Sequence, residues 1–192
     1  MAADTKERIL DTTAELFRRH GYTGTGMKQI VQAAAAPFGS VYHHFPGGKE
    51  QLGEEVIRRS GAMYAELFAT VARESDDLLS YVDAAFRGAA ETLVASGYED
   101  ACPIATVALE VASTNEPLRR ATAEVFQSWL EGWALSLERW GGIEPERART
   151  LALELLGAME GAFVLSRALK SPDPMLVAGA AAVERVRAAI DR

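Results

Sequence analysis

Apolar residues recur every three to four positions through almost the whole chain, and each such run is cut off by glycine or proline. The first run carries Ile9, Leu10, Thr13, Ala14, Leu16 and Phe17 on one face and stops at Gly21. Later runs carry Leu78, Val82, Phe86, Ala89 and Leu93, and then Leu118, Thr122, Val125, Phe126, Trp129, Trp133, Leu137 and Trp140. Alternating β-branched runs are few. The pattern predicts an all-α chain: a three-helix N-terminal head plus a C-terminal helical bundle, with about nine helices in all. The head is expected over residues 1–47 and the bundle over residues 48–192. Asp4 or Thr5 can cap the first helix and Thr25 the second. Pro37 disfavours helical geometry at Ala36, which separates the second helix from a short third one over residues 38–44. Pro46, Gly47 and Gly48 form the next break, and Lys49 opens a long fourth helix. Asp77, Pro103, Glu116, Pro145 and Asp173 lie in the start signals of the remaining five.

Composition narrows the function. The chain has 192 residues, 48% of them apolar, enough to bury a core. No uninterrupted apolar stretch is long enough to span a membrane, and the first ten residues lack the layout of a secretion signal. The single cysteine, Cys102, forms no intramolecular disulfide and suits a reducing cytoplasm. It has no basic neighbour to activate it and reads as buried and inert. No metal-ligand spacing is present, and no cofactor is expected. The net charge of −7 argues against a protein that coats nucleic acid. Residues 1–46, however, carry five Lys/Arg against four acids, whereas residues 47–192 carry 15 against 23. The acidity lies outside the first segment.

That segment holds the most unusual stretch, residues 25–49. Two short helices around a tight break, braced by a longer one, form a helix-turn-helix, whose second helix enters the major groove of DNA. Its residue types suit the task. Thr25, Ser40 and Tyr42 can donate hydroxyls to phosphate oxygens, and Lys28 and Lys49 supply charge. The amides beside Gly47 and Gly48 face an anion readily. Ile30, Val31, Val41 and Phe45 are the internal pegs. Base reading falls to Phe38, Gly39, Ser40 and His43, since a phenyl ring can touch a thymine methyl and an imidazole can donate to guanine. His43 and His44 are adjacent on a helix and do not face one metal together.

These residues resemble the TetR family of transcriptional regulators. The resemblance runs through ERILDTTAELFRRHGYTGTGMKQIVQAA and GSVYHHFPGGKEQL, and ACPIATVALEVASTNEPLR at residues 101–119 is similar to its LmrA/YxaF-like subgroup. It implies a homodimer, double-stranded operator DNA bound near the N-terminus, and a bundle pocket whose small-molecule effector releases the DNA. Two positions depart from the pattern. Ala35 stands where such turns often carry glycine, and Phe38 where close relatives are commonly basic or polar. An alanine forced to positive φ costs about 1 kcal/mol.

Met63, Phe68, Phe86, Cys102, Phe126, Trp129, Trp133, Met159 and Phe163 are candidates to line a largely apolar effector pocket, although each also suits plain core packing. Small residues Gly157, Gly161, Ala178 and Ala182 on the last two helices permit the close approach that a dimer of this family makes there. A helical-bundle enzyme is the alternative, but no nucleophile–base pair or phosphate loop supports it. A protein-interaction module is the third reading.

Overall fold

The computed structural model describes residues 2–191, and among them nine helices and no strand. They are α1 (Ala2–His20), α2 (Met27–Ala33), α3 (Phe38–His44), α4 (Gly48–Glu74), α5 (Leu78–Ala95), α6 (Pro103–Val111), α7 (Glu116–Gly141), α8 (Pro145–Leu169) and α9 (Asp173–Ile190). The all-α expectation holds. Helix α1 spans Ala2–His20, so Thr5 lies inside it, while the side chain of Asp4, the other expected cap, lies outside the described residues. The start signals from Asp77 onward are used as the sequence implies. Asp77 caps α5 by accepting from the Ser80 amide, with the Ser80 hydroxyl accepting in return from the Asp77 amide. Pro103 and Pro145 occupy first turns, where a missing N–H costs nothing. Cys102 is a cap: its buried Sγ accepts from the Ala105 amide at 3.4 Å.

The chain packs as two units. One comprises residues 1–62 and 102–126, the other residues 63–101 and 127–192. An expected division at residue 47 differs from this packing, because α6 contacts α1 and joins the head.

In the first unit α1 packs on α2, α3 and α6. Ile9, Phe17, Ile30, Val41, Phe45, Leu52, Ile104 and Val107 are fully or almost fully buried. In the second unit α5 packs against α9 and α8. Its core gathers Leu78, Val82, Phe86, Leu93, Trp133, Leu137, Leu155, Met159 and Val186. Tyr81 stacks on Trp133 with ring centroids 4.9 Å apart. Gly179 is required where it stands, since a Cβ there would lie 2.7 Å from Phe86 Cβ. No described helix is long and apolar enough to cross a membrane.

Candidate nucleic-acid interface

The head is built around two corners. Gly21 ends α1 with φ +71°, and its amide donates to the Phe17 carbonyl at 3.0 Å. Tyr22 folds back on α1, its ring 5.6 Å from that of Phe17 in an edge contact. The second corner follows α2. Ala35 takes φ +46°. The Ala36 amide donates to the Val31 carbonyl and the Ala35 amide to that of Gln32, at 3.1 and 3.2 Å. This is a Schellman ending made without glycine. The strain expected at Ala35 is therefore present. Pro37 then starts α3 with an extended backbone, and the Ser40 amide donates to its carbonyl at 2.9 Å.

Of the pegs, Ile30, Val41 and Phe45 have no exposed surface and Val31 is half-buried. The opposite side of α3 is open. Phe38 is 50% and Tyr42 47% exposed, with their rings 5.5 Å apart. Gly39 and His43 are also exposed, Ser40 and His44 half-buried. Lys28 is exposed on α2. The structure thus brings Lys28, Phe38, Gly39, Ser40, Tyr42 and His43 onto α2 and α3 with solvent access.

Two candidates are placed otherwise. Thr25 is completely buried, and its hydroxyl donates to the Gly21 carbonyl at 2.7 Å. The cap of α2 is Gly26, whose amide donates to the Gln29 carboxamide at 3.4 Å. Thr25 therefore holds the first corner, and its side chain is not presented to a phosphate. Lys49 is half-buried and turned inward. Its Nζ donates to the Tyr22 carbonyl at 2.6 Å and lies 4.1 Å over the Tyr22 ring. Burial lowers its pKa, with Glu110 opposing the change, while burial and Glu50 raise that of the Tyr22 phenol. At the start of α4 the Gly47 amide is already engaged by the Gln51 side chain at 2.8 Å.

Sequence reasoning missed two clasps. Arg8 Nε donates to the Ala34 carbonyl at 2.9 Å, fastening the end of α2 to α1. Glu110 of α6 accepts from the Thr23 amide at 2.6 Å. A Cβ on Gly21 would lie 1.7 Å from the same carboxylate. No local signal marks either pair, whose members stand 26 and 87 residues apart.

The remaining candidates divide between the units. Phe68, Phe86, Trp133, Met159 and Phe163 belong to or pack against the second unit's core, and Trp129 meets Tyr64 edge-on at 6.1 Å. Met63 is 53% exposed. Cys102 and Phe126 lie in the first unit. Ala182 is buried within its own unit and Ala178 half-buried against it, whereas Gly157 and Gly161 are exposed.

Known proteins match this arrangement over most of the chain. The model of the bacterial regulatory proteins of the tetR family matches residues 9–56. That of the LmrA/YxaF-like transcriptional regulator C-terminal domain matches residues 79–181. The uncharacterized HTH-type transcriptional regulator YxaF of Bacillus subtilis is 33% identical over 91% of each chain. The HTH-type transcriptional regulator LmrA of the same organism is 31% identical over 90% of this chain and 92% of its own. The regulatory protein TetR from Rhodobacter sphaeroides superposes with a TM-score of 0.83 at 22% identity, covering 93% of this chain and 96% of that one. With the helix-turn-helix in place and both family models matched, the chain belongs to the TetR family of DNA-binding transcriptional regulators, in its LmrA/YxaF-like branch.

Proposed function

We propose that this regulator is a ligand-responsive repressor that leaves a palindromic operator when a small, largely apolar effector binds. The observation that carries the reading is the split character of α3. Val41 is fully buried, while Phe38, Gly39, Tyr42 and His43 face solvent, as does Lys28 on α2. A helix held from one side by apolar pegs and open on the other suits insertion into a major groove.

A homodimer would set two such helices about 34–36 Å apart on successive grooves. The exposed faces of α8 and α9 support that assembly. Leu153, Gly157, Gly161, Val164 and Leu165 on α8, with Leu176 and Val177 on α9, form an apolar surface on a cytoplasmic protein. A second copy of the same helices is its natural partner. The effector is assigned to the aromatic residues of the second unit, chiefly Phe68, Trp129, Trp133 and Phe163. Such a ligand releases DNA only by favouring a conformation in which the head cannot engage both half-sites. Helix α4, continuous from the head into the second unit, is the covalent route for that preference.

Fluorescence anisotropy on duplex from the chain's own upstream region tests the reading. Tight binding that weakens as salt rises, with clear preference over random duplex, is the expected result. Equal affinity for both duplexes would sink it.

A further inference from the structure

The seven residues of α3, FGSVYHH, include no lysine or arginine. The common guanine contact, a basic side chain donating to both O6 and N7, is therefore not open to this helix. What α3 presents instead is an aromatic pair. Phe38 is its first residue, and Tyr42 lies one turn further on; both are about half exposed. Their ring centroids are 5.5 Å apart and tilted by 40°. The tyrosine ring thus props the phenyl ring and restricts its rotamers before any partner arrives, which lowers the entropic cost of using it. The backbone beneath is fixed as well, with Pro37 preceding and its carbonyl accepting from the Ser40 amide. The next position is bare as well, since a Cβ on Gly39 would meet nothing within 4 Å outside its chain neighbours. An exposed, pre-positioned ring followed by a bare position fits an apolar feature of the groove, and the major groove offers one such feature, the C5-methyl group of a pyrimidine.

Resting on the reading of α3 as the recognition helix, we propose that Phe38, propped by Tyr42, is a specificity-determining residue that reads the methyl group of a thymine. 5-Methylcytosine presents the same methyl, whereas uracil and cytosine present hydrogen.

The test uses the full chain. Duplexes bound from a random pool give the preferred site. Each thymine of that site is then replaced singly by deoxyuridine, which removes only the methyl. At one or more thymines the replacement is expected to weaken binding about four-fold, the value of one buried methyl. In Phe38→Ala the two duplexes should bind alike, and Tyr42→Ala should shrink the difference. Cytosine against 5-methylcytosine at the same position separates the sources: thymine readout leaves both weaker than the thymine duplex, with the methylated form the better of the two. Phe38 is half exposed and contributes little to the core, so its alanine variant remains folded. A penalty that persists in Phe38→Ala, or no penalty at any thymine, overturns the proposal. Failure to enrich any sequence would instead overturn the reading of the head as a sequence-specific DNA binder.

Discussion

The two packing units are held together by different means. The second unit consists of long regular helices around one apolar core, in which Tyr81 stacks on Trp133 and Phe86 presses on Gly179. The head is held at its corners by side chains that end on main-chain atoms. Thr25 donates to Gly21, Arg8 to Ala34 and Lys49 to Tyr22, while Glu110 accepts from Thr23. The difference follows from geometry. A long helix satisfies its own backbone and needs only a buried face. Two seven-residue helices joined by tight corners leave a large share of their amides and carbonyls without helical partners, and polar side chains must take them. Both units have buried apolar side chains and so are sensitive to volume, but the head is in addition sensitive to the loss of single polar groups at its corners.

That contrast can be broken by substitution. The largest effect belongs to the second unit, where Phe86→Ala should cost about 3–5 kcal/mol in urea unfolding, through lost burial and the cavity left behind. Next is an alkaline effect in the same core. Burial pushes the Tyr81 hydroxyl from 10.0 up to about 12. Because the folded pKa is the higher one, the contribution is complete below pH 10.0 and is lost as pH rises toward about 12. The loss amounts to roughly 2–3 kcal/mol, and Tyr81→Phe should flatten that limb of the stability profile. In the head, Thr25→Val keeps the shape and deletes one hydroxyl. It should cost about 1–3 kcal/mol by leaving the Gly21 carbonyl short of its partner, and DNA affinity should fall with it. A valine there as stable as threonine would erase the proposed distinction. The smallest effect is a gain. Ala35→Gly should raise the melting temperature by relieving up to about 1 kcal/mol of left-handed strain.

What could be read from the chain follows from how far apart the interacting residues are. Periodicity and punctuation placed the helices, because both are local. Val41 and Phe45 were legible as pegs and Phe38 and Tyr42 as exposed, since all four follow from the register of one short helix and the residue that ends it. Thr25 was misjudged because a threonine at a helix start serves equally as a cap or as a buried corner bond. The bond that Lys49 makes was not legible, because its partner is a carbonyl 27 residues away. The membership of α6 in the head has the same origin, as does the Glu110 clasp. Met63 was a pocket candidate yet is exposed, since an apolar residue on a helix does not reveal what covers it.

The hydrogen bond from Thr23 to Glu110 has a practical consequence. A backbone proton on an exposed residue normally exchanges quickly with solvent, but this one is held by a carboxylate of α6 at 2.6 Å. Its protection against exchange therefore reports the fraction of time in which the Glu110 carboxylate has left the corner between α1 and α2. One resolved amide signal, followed with and without DNA, measures that opening equilibrium with no label attached.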